Sequence, residues 1–532
     1  MQAQTLETGT PKTKLNPNWL WPGGIFGLAL LIRLVYALQL PFPPLDDPAY
    51  YVQGARSFFN GHPLELSIVW NYHPAPATVT HPGFDFWMPL ASFLIAGSFF
   101  ILGDTSLAAQ LPSIIAGSVL AALTFWLGRR LLGGVGLGAK PQTFLAGIAG
   151  LYIALNPLLA YQSAVPDSSM IYAALLSGAA LVWVSRESPA QSLGLGLLMG
   201  LAYLARSHAA FFVAAWGIIT LVRFVKERED RVKTFKLAVF TAIGLLLTAG
   251  PWLLRNWLTF HALSSPAALE TGLINNYATL FNYETPINFN TLLQQGPGEI
   301  LLTRWDALYN AWVEVLGTMF VPVALLPALG LFLLWRRNRA QLDGGLLYCL
   351  LLGVASPLII AVASINGSMY HSAGSIAPFG AIGYVYLLYR AGEKYRAWKP
   401  EGLRLFPILM VFLIAVELVQ FRVSVGGTVE NHRHNEAVYA RLNSWLKANN
   451  VTGPIIADEP SSLNYATGLP ALRLPADESL ETVKRLAERY GATYIVVTSF
   501  FGRYPAALES PNNTIFPRAY LDPQSEFEIY KI

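Results

Sequence analysis

The sequence predicts a polytopic α-helical membrane protein, with about eleven transmembrane helices followed by a C-terminal extracytoplasmic α/β domain. Three observations carry this expectation. The 532-residue chain is 54% hydrophobic and only 13% charged, which excludes an ordinary soluble protein and a disordered one. Many apolar runs reach the roughly 20 residues needed to cross a bilayer core. After Arg422 the pattern changes to mixed polar and apolar residues with charges throughout.

Spans are expected near 20–40, 107–131, 142–163, 168–185, 190–206, 208–225, 236–257, 311–335, 344–364, 373–390 and 404–423. The first apolar run, Trp21–Leu40, is longer than a signal-peptide core and is followed by no small-residue cleavage site, so it is expected to remain as a span. Phe84–Leu102 is a further apolar stretch, and charge bias decides its place. With eleven spans and the N-terminus inside, twenty lysines and arginines fall in cytoplasmic segments and four in outer loops. Counting Phe84–Leu102 as a span would reverse every later loop. It is therefore expected to lie along the outer surface, entered through a bend at Pro82, Gly83 and Pro89.

This divides the chain into a cytoplasmic tail (1–18), a transmembrane region (19–425) with long outer loops at 41–106 and 258–310, and an outer α/β domain (430–532), placed at the plasma membrane. In the last part, His434–Asn449 and Glu478–Tyr490 read as helices, and Pro454–Ala457 and Thr493–Thr498 as strands. The net charge of +4 is too small to suggest nucleic acid. The single cysteine, Cys349, excludes intrachain disulfides and cysteine-rich metal sites.

Candidate site residues cluster in the outer segments. Asp46 and Asp47 follow the first span and a proline cluster. Asp47 precedes Pro48 and a helical pattern from Ala49 to Phe59, which suits Asp47 as a helix cap and leaves Asp46 for chemistry. Asp167 stands in the second outer turn, as a helix cap or as a second functional carboxylate. His73 and His81 lack tight metal-ligand spacing, although either joins Asp46 or Glu65 as an open divalent-metal reading; His81 equally suits a phosphate contact. Arg206, Arg255 and Arg304 lie at the outer face, where an arginine holds a lipid phosphate by charge and forked donors or snorkels to headgroups. Arg33 and Glu417 lie within spans, where each needs a partner or water. Gly194, Gly196 and Gly200 read as small residues for close helix contact, the spacing being wrong for a dinucleotide loop.

The order of these motifs resembles a known family. One span is followed by Asp46-Asp47-Pro48-Ala49-Tyr50-Tyr51, then His81-Pro82-Gly83-Phe84, Leu102-Gly103-Asp104, and a span ending Gly128-Arg129-Arg130-Leu131. Further on come Gly200–Arg206 and Pro251-Trp252, with Arg255-Asn256 closing the segment. Over residues 20–425 this is similar to the GT-C membrane glycosyltransferases, in the protein O-mannosyltransferase-like and aminoarabinose-transferase-like branch. The resemblance implies an inverting transferase that uses a polyprenyl-phosphate-linked sugar donor and a glycan, lipid or protein acceptor. It implies a base at Asp46, with Asp47 in place of the family's usual Glu. It maps a second acid to Asp167 and a Lys/His-Pro-Pro motif to His81-Pro82-Gly83, with Gly for the second Pro. Tyr50, Arg206, Arg255 and Arg304 are carried as substrate contacts. A divalent metal is left open as cofactor. No Trp-Trp-Asp signature is present, which disfavours an oligosaccharyltransferase. Two other classes compete. A flippase for lipid-linked sugars should show discontinuous spans in matching halves, and a non-catalytic assembly protein should leave the acids and arginines dispersed.

Overall fold

The computed structural model describes residues 17–40, 47–73, 76–185, 188–227, 229–321, 324–399, 404–500, 504–510 and 513–532. Asp46 lies outside them. Six helices among these residues are long and apolar enough to cross a membrane, or seven if the bent pair Ala139–Leu155 and Pro157–Ala164 is taken as one span. Leu90–Leu102, Ser169–Ser185 and Pro189–Ala205 are shorter apolar helices. Leu90–Leu102, which contains most of the stretch expected at the surface, packs beside the helices Asp47–Phe59 and Ser106–Gly133.

The 311–335 stretch is not one helix, which corrects the expectation. One helical segment runs from Pro297 to Met319 through a widened turn at Asn310–Val315, and a separate helix covers Leu325–Arg337. Pro327 lies in the first turn of that second helix, where a missing N–H costs nothing.

The break between Leu155 and Pro157 turns the chain by 55°. Proline has no N–H to give the carbonyl of Ile153, one turn earlier. The Arg33 guanidinium takes its place. Nη2 donates to the Ile153 carbonyl at 3.1 Å and Nη1 to the Ala154 carbonyl at 3.0 Å, while Nε donates to Ser163 Oγ at 2.9 Å. Arg33 is fully buried, so a costly intramembrane charge is spent on a kink. Asn156 completes the joint. Its Oδ1 accepts from Leu159 N at 3.2 Å, and its Nδ2 donates to the Met319 carbonyl at 2.9 Å and to Glu417 Oε2 at 3.3 Å.

The C-terminal residues carry a six-stranded sheet in the order Ile68–Val69, Ala471–Arg473, Ile455–Ala457, Tyr494–Thr498, Phe527–Lys531, Arg518–Leu521. The first four strands are parallel and the last two antiparallel. The sheet takes its edge strand from the first long loop, beside strands from residues 430–532. The helix Leu405–Ala448 runs unbroken from the last apolar stretch into this part of the chain. The parallel strands end at Val69, Ala457 and Arg473, and the residues that follow, Trp70 and Asp458-Glu459, are buried.

Helices Pro189–Ala205 and Arg231–Phe260 pack closely through glycine. A Cβ on Gly196 would collide with the Thr241 carbonyl and come within 2.8 Å of Leu245 N, and one on Gly200 would collide with Thr248 Oγ1. Nothing lies within 4 Å of a Cβ at Gly194. The close-contact expectation therefore holds for Gly196 and Gly200, while Gly194 is free of it. Gly196→Val should lower the melting temperature of the detergent-purified protein by several degrees, whereas Gly194→Ala should leave it within error, because only the former forces two backbones apart. Arg33→Met should also lower it, since the Ile153 and Ala154 carbonyls then stay buried without donors.

Candidate active site

The bent helix pair delivers Asp167 to its position. Its backbone N–H donates to Ser113 Oγ at 3.2 Å, and Ser113 Oγ returns a bond to the Asp167 carbonyl at 2.8 Å. The side chain then works on two sides. Oδ1 accepts from Ser169 N and from Ser168 Oγ, both at 3.1 Å, at the start of helix Ser169–Ser185. Oδ2 lies 2.7 Å from His371 Nδ1. The capping and functional readings of Asp167 thus describe the two oxygens of one carboxylate.

His371 comes from the turn at 366–372. Gly367 there has φ +114°, a backbone state open essentially to glycine, and a Cβ on it would lie 3.5 Å from the imidazole. The far ring nitrogen, Nε2, is 3.7 Å from Asp47 Oδ2. Arg206, at the end of helix Pro189–Ala205, donates from Nη1 to Ser168 Oγ at 3.0 Å and lies 4.0 Å from Asp167 Oδ1. Tyr51 Oη donates to the same Ser168 Oγ at 3.0 Å. Two carboxylates, an imidazole and a guanidinium therefore meet at one point.

Charge settles the protonation of this cluster. Burial alone would raise the Asp167 carboxyl, but the His371 imidazole and then Arg206 hold it well below the usual carboxylate range. Burial would lower His371, and the carboxylates of Asp167 and then Asp47 more than reverse this, so it sits above an ordinary histidine. His208 Nε2 lies 2.6 Å from Ser368 Oγ.

Two cavities share this cluster as a wall. The first, about 480 Å³, is lined by Trp70, Phe86, Trp87, Tyr203, Phe211 and Leu269, with Arg206 and His208. The Arg206 Nε is buried with no hydrogen-bond partner among the described residues. The second, about 730 Å³, is polar, with Gln162, Gln420, Asn431, Asn435 and Glu459 on its walls. Asp47, Tyr277, Asn366 and His371 face both.

Several expected contacts lie elsewhere. Asp47 was assigned a capping role; its helix instead begins at Asp47 itself, and its carboxylate faces His371. Tyr50 is fully buried; its Oη accepts from Phe84 N at 2.8 Å, and its ring packs 4.3 Å from Trp87, so it holds the loop rather than a ligand. His81 pairs with Asp85 at 3.5 Å and with the Val79 carbonyl at 2.9 Å, away from both cavities. Arg255 Nη2 donates to the Gly83 carbonyl at 2.7 Å and stacks on Trp252 and Phe260. Arg304 binds Asn275 Oδ1. The polar ends of these side chains have intramolecular partners in or beside the loops. His73 likewise pairs with Glu270 at 3.0 Å. His371, His208 and Ser168 were missed. The available signal was that 365–372 is an outer turn carrying a histidine between two apolar runs.

The cluster also has the donor set of a divalent-cation site. One atom each from Asp47, Asp167 and His371 lies within 4.8 Å of the others, and two carboxylates with an imidazole suit a hard or borderline ion.

No protein-family model and no curated protein matches the sequence. Solved structures do. ArnT from Cupriavidus metallidurans bound to undecaprenyl phosphate aligns over 96% of this chain and 98% of that one, at TM-score 0.55 and 14% identity. The Archaeoglobus fulgidus oligosaccharyltransferase in complex with Zn and sulfate aligns over 89% of this chain and 68% of that one, at TM-score 0.56 and 13% identity. The chain shares the fold of these ArnT and oligosaccharyltransferase structures. Apo ArnT from the same Cupriavidus species aligns at TM-score 0.51 and 12% identity, over 97% and 98% of the two chains. The GT-C resemblance drawn from the motif order therefore holds at the level of the fold.

The Asp167–His371 pair predicts a pH window. The depressed carboxyl contributes stability above the ordinary Asp value of about 3.9, lost as pH falls through its folded value. The raised imidazole contributes below about 6.5, lost as pH rises through its folded value. In EDTA-treated protein, melting temperature should fall as pH rises above about 6.5, and His371→Ala should be less stable and flat across that range.

Proposed function

We propose that this protein is an inverting glycosyltransferase that moves a sugar from a polyprenyl-phosphate donor to an extracytoplasmic acceptor. The observation that carries it is the shared wall. An acidic residue of the pair after the first span stands between an aromatic cavity holding a buried arginine and a polar cavity open to a second substrate. In this reading the lipid phosphate lies against Arg206 and its sugar reaches the wall. The acceptor hydroxyl enters from the polar side. Its oxygen bonds to the anomeric carbon as the carbon–phosphate oxygen bond breaks, its proton passes to a carboxylate of the Asp46–Asp47 pair, and the polyprenyl phosphate leaves against Arg206. Displacement from the opposite face inverts the centre.

Asp167 holds His371 in place, and His371 in turn orients Asp47. A divalent cation, when bound, would be held by Asp47, Asp167 and His371 and would offset charge on the leaving phosphate. The topology that goes with this reading has eleven spans, a cytoplasmic N-terminus, and the site, the loops 41–106 and 258–310 and the 430–532 domain outside the plasma membrane. The convergence of Asp47, Asp167 and Arg206 supports an enzyme over an assembly protein, which needs no such meeting.

The test is sugar release and transfer by detergent-purified protein from undecaprenyl-phosphate-linked sugars. Asp46→Asn and Asp47→Asn, made separately, should identify the base, its loss lowering kcat by about 10²–10⁴-fold with donor KM little changed. Arg206→Ala should raise donor KM. Full turnover by both Asp variants would overturn the reading.

A further inference from the structure

The polar cavity has a distinctive wall. Gln420, Ser424, Thr428, Asn431 and Asn435 all line it, and all five lie on the single helix Leu405–Ala448. Their spacing of four, four, three and four residues puts them on one face. They form an uncharged hydrogen-bonding stripe about 22 Å long at 1.5 Å per residue. It starts within the apolar part of the helix.

The opposite wall is built to match. Gln162 is 1% exposed. Its Nε2 donates to the Tyr370 carbonyl at 2.7 Å, and its Oε1 is buried with no hydrogen-bond partner among the described residues. Gln420 Oε1 is buried and likewise without one. A buried amide oxygen without a donor is costly, so a hydroxyl-bearing ligand in this cavity that reaches either oxygen would remove that cost. Tyr161, bonded to His432 Nε2 at 3.1 Å, and Tyr36, with ring centroids 6.3 Å apart, add flat apolar faces with polar tips.

Charge narrows the ligand further. Among the described lining residues there is no lysine or arginine, while Asp47, Asp167 and Glu459 are present. Glu459 comes from the carboxyl end of the strand Ile455–Ala457 in the outer sheet and is paired with Arg473 at 3.1 Å. The guanidinium of Arg206 belongs to the other cavity. An acceptor bearing phosphate would meet these carboxylates, and the imidazole on that wall, His371, is already paired with Asp167 and Asp47.

We infer that the polar cavity is an acceptor groove for an extended, uncharged carbohydrate, laid along the stripe from Gln420 to Asn435 with the outer domain closing its end through Glu459. This rests on the glycosyltransferase reading for which hydroxyl reacts, but the groove's ligand class is readable without turnover.

Saturation-transfer NMR on the full-length, detergent-purified protein tests it, with maltotriose, mannotriose and chitotriose as probes, each with and without a terminal phosphomonoester. At least one neutral trisaccharide should give signal, and its phosphorylated partner should give less. Gln420→Ala should weaken the neutral ligand roughly three- to tenfold, the worth of one hydrogen bond, and Asn435→Ala should do the same should the first variant fail to fold. Equal or stronger binding of the phosphomonoesters, no neutral binding, or binding unchanged in both variants would overturn the inference. Saccharide binding with no transfer from any polyprenyl-phosphate sugar would instead overturn the function proposed above and leave the groove standing.

Discussion

The site depends on a missing N–H. Pro157 breaks the third apolar run, and a buried arginine from the first span donates to the carbonyls that the break exposes. A free backbone carbonyl in a low-dielectric interior is expensive, and so is an unpaired guanidinium; here each removes the other's cost. The redirected helix Pro157–Ala164 then leads straight into the turn holding Asp167. Gly117 belongs to the same arrangement, since a Cβ there would collide with Ser163 Oγ and come within 2.8 Å of Arg33 Nε.

From that anchor the electrostatics follow in one direction. Asp167 is buried, which pushes its carboxyl up; His371 and then Arg206 hold it low, and Asp167 and then Asp47 raise the imidazole in return. The imidazole stands between Asp167 and Asp47, on the wall between the two cavities. His208 nearby is hydrogen-bonded to Ser368 Oγ. The aromatic cavity offers apolar surface and one cation, and the polar cavity offers amides, hydroxyls and acids. This division separates a lipid phosphate from a sugar chain on physical grounds before any reaction is considered.

The C-terminal domain is tied to the rest of the chain in two places. The helix Leu405–Ala448 enters it without a break, despite Gly426 and Gly427, each of which costs about 1 kcal/mol relative to alanine in a helix interior. The strand Ile68–Val69 joins its sheet from the first loop. The same loop supplies Trp70 to the aromatic cavity, and the same sheet supplies Glu459 to the polar one. The domain is therefore part of the site's enclosure and not an appendage.

Much of this was legible in the chain alone, because it rests on local rules. Apolar runs of bilayer length mark most helices, glycine spacing marks the contact between Pro189–Ala205 and Arg231–Phe260, and Asp47, Asp167 and Arg206 all fall at predicted outer ends, where they do meet. The partners of each polar side chain were decided by tertiary structure. Tyr50, His81, Arg255 and Arg304 had the same promise in sequence as Arg206, yet each finds an intramolecular partner across a loop. His371 had no motif around it and becomes central because a glycine-permitted turn aims it between two acids. Composition and periodicity record which residues are costly to bury; only the packed chain decides which neighbour satisfies each of them.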